Sequence, residues 1–320
     1  MTSIPASDKR IAICVCTHSR SHGLSLLLSN MRDIDLRGYD PSLVELIIID
    51  NSPSPKTQAI CTRAAPGLPI ALHYTEERRA GMTHARNRAV ECALQRGADL
   101  IAFIDDDDQP RPDWLVQLLD CQAETGADLV FGTWVLDAQM PQWARDSGIF
   151  RSPTKSKQEK KGGRYGLPDC ASTCNMLVGK SILEEVAATG PVFCHAFRFS
   201  GGEDKDFFIR AHALGATLAS AETSVIYRNH ETERYTARGL LRRGFKNGCS
   251  QVSMARYHGD RSRRLQLFGS ALSKFFISLV LLPFSIFSRG FCMLNLYRIA
   301  KASGVVYTTF TGRSISYYSH

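Results

Sequence analysis

The chain carries ten cysteines but lacks the patterns that give cysteine a structural job. There is no Cys-x-x-Cys pair and no cysteine–histidine spacing of the kind that builds a zinc site, so the thiols read as those of a reduced, cytoplasmic protein. The first ten residues, Met1 to Arg10, are polar and hold no apolar stretch, which excludes a secretory signal from the reading. No internal repeat is visible, and nothing in the composition matches a disordered, collagen-like or coiled-coil chain. After the first apolar run stands Cys16-Thr17-His18-Ser19-Arg20, where a glycine-rich phosphate loop is missing.

What is present is a chain of 320 residues, 44% hydrophobic, enough for one large α/β domain with an appendage or for two small domains. The formal net charge is +8 and the pI is about 9.0. A basic balance is compatible with nucleic acid, anionic lipid or a phosphorylated substrate, and the location of the charge decides among them. Lysine and arginine crowd into Lys155 to Lys161, Arg234 to Lys246 and Arg256 to Arg264. Each is read as a solvated face or loop unless its surroundings say otherwise, and the last two flank a hydrophobic C-terminal stretch.

Periodicity predicts a strand at Ile11–Cys16, a helix at Leu24–Met31, strands at Val44–Ile49 and Pro69–Tyr74, and a helix at Gly81–Arg96. A strand at Leu100–Ile104, a helix at Trp114–Glu124 and a strand at Leu129–Leu136 follow. The continuous apolar runs suit strands covered on both faces. The order β-α-β-α-β-α-β-α-β predicts an α/β fold: a doubly wound, mostly parallel sheet flanked by helices, with ligands bound beyond the carboxyl ends of its strands. Met140 to Asp169 reads as a mobile loop. Ala171–Val178 returns as a strand, Ile182–Ala188 as a helix, Gly201-Gly202-Glu203-Asp204 opens a helix running to about Leu214, Ser224–Tyr227 reads as a short strand and Arg238–Tyr257 as a helix. Phe275 to Phe287 is apolar throughout, but as a helix it reaches only about 20 Å against the roughly 30 Å of a bilayer core. A surface-lying or re-entrant membrane helix pair fits it better than a span, the alternative being a helix packed on the core. The expected division is 1–235 as catalytic domain, with a nucleotide half at about 10–137 and an acceptor half at about 138–235, and 236–320 as a helical, partly hydrophobic extension.

Four adjacent carboxylates, Asp105-Asp106-Asp107-Asp108, end the most apolar strand. They repel one another unless a cation or solvent compensates. Hard oxygen ligands suit Mg²⁺ or Mn²⁺. An EF-hand loop is excluded, because Pro110 occupies the sixth loop position and Val116 the twelfth. The plain alternative is a solvated acidic turn before the helix at Trp114. Asp50 ends another apolar strand, where it either faces the same crevice or shapes a turn with Asn51 and Pro53. Gly81-Met82-Thr83-His84-Ala85-Arg86-Asn87 opens a helix whose N–H groups favour an anion, with Arg86 adding charge. Arg88 reads as an exposed face. Glu203-Asp204 follows two glycines at a helix start, where the acids either complement the helix dipole or supply a base to an acceptor hydroxyl.

Taken together, Ile-Ala-Ile-Cys-Val-Cys-Thr-His-Ser-Arg, Val-Glu-Leu-Ile-Ile-Ile-Asp-Asn-Ser, Gly-Met-Thr-His-Ala-Arg-Asn-Arg-Ala, Ile-Ala-Phe-Ile-Asp-Asp-Asp-Asp-Gln-Pro and Gly-Gly-Glu-Asp resemble the family 2 glycosyltransferases of bacteria, in particular the non-processive, succinoglycan-type enzymes that build surface polysaccharides. The resemblance covers roughly residues 10 to 250. It implies a GT-A fold, an inverting reaction and a nucleotide-sugar donor. On these residues Thr17 and Asp50 would hold the nucleoside, and Arg86, Asp105 and Asp106 would lie at the nucleotide. Asp107 and Asp105 would be metal ligands, as the acids of the Asp-x-Asp motif, with His230 a looser third. Asp204 would be the catalytic base, and Glu203 would support the acceptor. The Gln-x-x-Arg-Trp motif of processive relatives is absent, which implies one sugar added per acceptor. The acceptor is expected to be a saccharide, lipid-linked if the apolar C-terminal segment holds the enzyme at the cytoplasmic face of the inner membrane, with Lys155 to Lys161 closing over the substrates. A metal-dependent nucleotidyltransferase would need the missing phosphate loop, and a binding-only membrane protein would not need the acids at 50, 105, 107 and 204. Nucleic acid is disfavoured, because the expected crevice is acidic.

Overall fold

The structure is a computed structural model that describes residues 8–136, 140–150, 171–228 and 235–313. The chain divides into two compact units, the described residues of Met1–Val135, Ser152–Arg198 and Glu203–Asn229 forming one and those of Leu136–Arg151, Phe199–Gly202 and His230–His320 the other.

The first unit is built on an eight-stranded sheet. In chain order its elements are β1 (Ile11–Thr17), α1 (Ser21–Asn30), β2 (Val44–Asp50), α2 (Pro55–Ala64), β3 (Ala71–Glu76), α3 (Met82–Gln95), β4 (Leu100–Ile104) and β5 (Asp108–Pro110). α4 (Trp114–Thr125) and β6 (Leu129–Leu136) follow. The second unit's α5 (Gln142–Ser147) comes next, and then β7 (Asn175–Gly179), α6 (Lys180–Ala188), α7 (Glu203–Ala213) and β8 (Leu218–Arg228). The strand order is β3-β2-β1-β4-β7-β6-β8-β5.

The first four of these strands, β3 to β4, pair in parallel, as the apolar runs in β1, β2 and β4 predict. Their side chains alternate between two cores. Ile11, Ile13, Val15, Leu46 and Ile48 face one, with Leu24 and Leu27 of α1 and Trp114 and Leu118 of α4. Ala12, Cys14, Ile47 and Ile49 face the other, with Ala85 and Ala89 of α3 and Phe207 and Phe208 of α7. Helices therefore cover both faces, which removes the polar side that an exposed sheet would show in the sequence.

Beyond β4 the sheet is mixed, because β4–β7, β6–β7 and β5–β8 are antiparallel. A buried amide organises this half. Asn175 Oδ1 accepts from Trp114 Nε1 at 2.8 Å, and its Nδ2 donates to the carbonyls of Thr133 and Ser224 at 2.9 and 3.1 Å. Gly132 makes room for it, since a Cβ there would sit 2.2 Å from that amide nitrogen.

Two expectations are corrected. Met140 to Asp169 is not loop throughout: α5 lies at Gln142–Ser147 and buries Trp143 and Ala144. Its six residues are too few to show a period, so the Pro, Gly and Lys content around them dominated the reading. Lys155 to Lys161 lies outside the described residues. The strand expected at Ser224–Tyr227 is also longer, running Leu218–Arg228, because its first half is only partly buried and has no apolar run to announce it.

The second unit is helical, with α8 (Ala237–Tyr257), α9 (Arg261–Leu281) and α10 (Arg289–Thr311) joined to α5. α8 and α10 meet through glycines. A Cβ on Gly248 would lie 2.1 Å from the Lys301 carbonyl oxygen, and one on Gly304 would lie 2.1 Å from that of Phe245. Small residues at such positions let two helix backbones approach closely. Around α5, Trp143 and Ala144 pack with Phe150 and Leu240, and Arg243 lies over the Phe150 ring at 5.0 Å. The apolar segment expected at Phe275–Phe287 is divided: α9 takes it to Leu281, and a 3₁₀ turn at Pro283–Phe287 turns the chain toward α10. α9 starts well before Phe275, and its 21 residues make it the one helix, among the described residues, long and apolar enough to cross a membrane.

Candidate functional site

In the parallel half the chain runs outward from β1 to β2 and β3, and then α3 carries it back to β4 on the other side of β1. The direction of winding reverses between β1 and β4, and such a switch opens a crevice at the carboxyl ends of those two strands. Thr17 ends β1 and the four aspartates follow β4. The two ends touch: Thr17 Oγ1 donates to Asp106 Oδ2 at 2.7 Å. Asp50 ends β2 in register with Thr17. The predicted nucleotide-side residues therefore share one edge of the sheet.

The four aspartates have separate fates. Asp106 is buried, and Arg20 Nη1 also donates to it at 3.2 Å. Burial pushes its carboxyl up to about 6 against the pull of Arg20 and Thr17. Asp107 is reached by the same guanidinium, 3.1 Å from its Oδ2. Asp108 is buried against Arg228, 3.3 Å from Arg228 Nε, and burial raises its carboxyl while Arg228 opposes. Asp105 is the most open, with a side chain 39% exposed and guanidinium groups of Arg86 and Arg228 each 3.9 Å away. The loop is held close to α1 by Gly23, where a Cβ would lie 2.8 Å from the Asp106 carbonyl oxygen.

Arg86 connects this loop to the start of α7. Buried on α3, it donates to Glu203 Oε1 at 2.6 Å while facing Asp105. Glu203 is buried too. Desolvation raises its carboxyl and Arg86 pulls it back, and the short contact favours the ion pair. Charge alternates along the series Glu203, Arg86, Asp105, Arg228 and Asp108, each acid facing a base. Asp204 is only half-buried, and its Oδ1 accepts from the Lys205 backbone N–H at 2.8 Å. The two glycines before α7 both have positive φ, 69° at Gly201 and 105° at Gly202, a backbone that other residues rarely adopt.

Asp50 is fully buried. Its Oδ1 accepts from the Ser52 N–H at 3.0 Å, and its Oδ2 accepts from the Tyr74 hydroxyl at 3.0 Å. The turn with Asn51 therefore forms, and at the edge where the crevice lies. The Gly81 N–H, expected to face an anion, is instead taken up by Asn51 Oδ1 at 3.1 Å. Arg88 is paired with Glu91 on the helix surface. His230 lies outside the described residues.

Sequence reasoning did not single out Arg20, Asn51, Cys174 or Arg228. Asn51 donates to the carbonyls of Glu77 and Arg79, both at 2.8 Å, and so fixes the loop before α3. Arg228 and Cys174 reach the acids only through antiparallel pairing: Asp108 registers against Arg228, and Ile104 against Asn175, the neighbour of Cys174. Long-range register leaves no local signal. Asp105, Asp108 and Cys174 each bring a ligand atom within 4.8 Å of the others. As a donor set for a hard cation this trio fits poorly, since burial pushes the Cys174 thiol up to about 12 and Arg228 already neutralises Asp108. Of the four aspartates, Asp105 and Asp107 are the more exposed, and carboxylate oxygens are the donors that suit Mg²⁺ or Mn²⁺.

Comparison with known proteins agrees with this geometry. The pattern of glycosyl transferase family 2 matches residues 12–186. The chain is 29% identical over 251 residues to the succinoglycan biosynthesis protein ExoM of Rhizobium meliloti (strain 1021), covering 77% of this chain and 75% of the relative. It is 25% identical over 234 residues to the glycosyltransferase AglE of Haloferax volcanii, covering 73% and 70%. In fold it is similar to the mannosyltransferase PcManGT from Pyrobaculum calidifontis, a structure in complex with GDP-Man and Mn²⁺, with TM-score 0.63, 15% identity, and 97% and 89% of the two chains covered. It is also similar to S. aureus TarS, residues 1–349 in complex with UDP, with TM-score 0.53, 15% identity, and 95% and 92% covered. The fold is the GT-A fold, and the chain belongs to glycosyl transferase family 2 and is a glycosyltransferase.

Proposed function

We propose that this glycosyltransferase moves a sugar, with inversion at the anomeric carbon, from a nucleoside-diphosphate donor to a saccharide acceptor in the building of a surface polysaccharide. The observation that carries the reading is Arg86. One guanidinium faces Asp105 at the end of β4 and holds Glu203 at the start of α7, so the donor-side acids and the residue beside Asp204 belong to one cluster.

In this reading Thr17 and Asp50 flank the nucleoside and Asp105 and Asp107 take the cation. Bound there, Mg²⁺ or Mn²⁺ supplies the positive charge that offsets the departing nucleoside diphosphate. Asp204 accepts the proton of the acceptor hydroxyl as its oxygen attacks the anomeric carbon, and the nucleoside diphosphate leaves from the opposite side. Arg86 keeps the buried Glu203 neutralised, which fixes the start of α7 and so the position of Asp204.

The acceptor is proposed to be lipid-linked, with the enzyme at the cytoplasmic face of the membrane. α9 supports this: one face carries buried Leu267, Ala271 and Ser278, while Leu265, Leu272, Phe276, Leu279 and Val280 are exposed. A helix packed on protein along one side and bare and apolar on the other suits a position in the plane of the interface. The test is incubation of the purified chain with a panel of nucleotide sugars and membrane extract, with Mn²⁺ or with EDTA, followed by NMR of the product. Metal-dependent release of nucleoside diphosphate from one donor, with inverted configuration in the product, is expected. Retained configuration, or no release from any donor, contradicts the reading.

A further inference from the structure

The second unit holds a cavity of roughly 450 Å³ whose lining includes none of the residues placed at the transfer site. Its lining comes from α8, α9 and α10 and from Gly148 and Ile149. Four basic side chains reach it, Arg263 and Lys274 from α9 and Arg298 and Lys301 from α10, over apolar residues that include Leu267 and Leu294. Among the described residues, no carboxylate lines it. Four basic side chains around one cavity, at a volume typical of a small-molecule site, favour an anion there.

The charge of the whole chain is divided in the same sense. Residues 236–320 hold 13 Lys and Arg and one acid, Asp260. The other 235 residues then hold 26 Lys and Arg against 30 Asp and Glu, so the basic character of the chain lies wholly in this extension. Asp260 caps α9, accepting from the Arg263 N–H and the Ser262 hydroxyl.

Exposed apolar side chains lie along α9 on both sides of Lys274, Leu272 before it and Phe276 after it. One turn beyond Lys274 stands Ile277, 55% exposed, and two turns beyond stands Val280, 66% exposed. A cationic cavity beside bare apolar side chains offers a phospholipid one place for its phosphate and another for its acyl chains.

We propose that this cavity is a binding site for the phosphate headgroup of an anionic phospholipid, whose acyl chains run along the exposed part of α9. The proposal rests on the membrane reading above and adds to it a saturable, residue-defined site in place of general attraction between a basic surface and an anionic bilayer.

The test uses the full chain and vesicles of phosphatidylcholine with or without phosphatidylglycerol, read by flotation. Two variants remove the same charge: Lys274→Gln/Arg298→Gln inside the cavity, and Arg238→Gln/Arg261→Gln on exposed surface outside it. A cavity site predicts that the first pair weakens binding to anionic vesicles about tenfold more than the second, through lost charge-assisted hydrogen bonds. Short-chain phosphatidylglycerol, added as monomer, is expected to bind once per chain by calorimetry, and inorganic phosphate much more weakly. Both variants should keep wild-type donor hydrolysis, which shows that they are folded. Equal loss in the two variants, or inorganic phosphate bound as tightly as the short-chain lipid, overturns the headgroup site while leaving membrane association standing. Failure of the wild type to bind any vesicle removes the membrane reading as well.

Discussion

Arg86 Nη1 lies 2.6 Å from Glu203 Oε1, joining residues 117 positions apart in the chain. Both groups are buried, so neither charge is stable there without the other. The pair ties the third helix of the sheet unit to the start of α7, and it is how the two halves of the proposed site find their spacing.

Breaking that pair from one side leaves a buried charge uncompensated. Arg86→Met is expected to destabilise the protein by about 3 kcal/mol and to abolish transfer. Arg86→Met/Glu203→Met should recover most of the stability, because apolar groups replace both ions, yet remain inactive. Urea unfolding of the three variants beside donor turnover checks this, and recovery of activity in the double variant would show the pair to be merely structural.

The acidic loop is held by an absence of side chain. Gly23→Ala places a methyl 2.8 Å from the Asp106 carbonyl oxygen, so the gain in helix propensity, about 1 kcal/mol, should be lost to displacement of the loop. The expected result is unchanged or lower stability with weaker Mn²⁺-dependent donor binding, measured by calorimetry.

At the crossing of α8 and α10, Gly248→Ala and Gly304→Ala each drive a methyl into backbone on the facing helix. Each should destabilise the helical unit by about 3 kcal/mol. Gly269→Ala on α9 meets nothing within 4 Å and should be neutral or stabilising by up to about 1 kcal/mol. Limited proteolysis of the C-terminal helices reads the difference.

Glu77 gives a pH signature. Its buried carboxylate accepts from Arg79 Nη2 at 2.6 Å and Nε at 2.9 Å, and that hydrogen bonding holds it below the usual value of 4.5. A depressed folded-state value means stability that is fully present above pH 4.5 and lost as pH falls below it. Because Arg79 is largely exposed, the contribution is about 1 kcal/mol or less. Glu77→Gln should lower stability by that amount at neutral pH and by progressively less as the pH falls below 4.5, as measured by urea titration across the range.

Much of the sheet unit was legible because its strands are buried on both faces. Residues 11–16, residues 46–49 and Leu100–Ile104 are apolar without interruption and run into polar or acidic residues, so their ends and the crevice could be placed from the chain alone. The bonds inside the crevice could not. Arg20, Arg228 and Cys174 come to the aspartates by helix placement and antiparallel register, which have no period in the sequence. Asn51 looked like a turn residue, and its second task, fixing the backbone at Glu77, Arg79 and Gly81, appears only once β2 and α3 are set side by side. α5 was too short to show a helical period.

The most direct test of the account is nucleoside diphosphate release from the preferred donor, with Mn²⁺ or with EDTA, by the wild type, Asp107→Ala and Asp204→Asn. The account predicts metal-dependent release by the wild type, loss of both release and metal dependence in Asp107→Ala, and, in Asp204→Asn, normal Mn²⁺-dependent donor binding with transfer to acceptor reduced by at least about a hundredfold. Wild-type transfer by Asp204→Asn, or release by the wild type that is indifferent to EDTA, would contradict it.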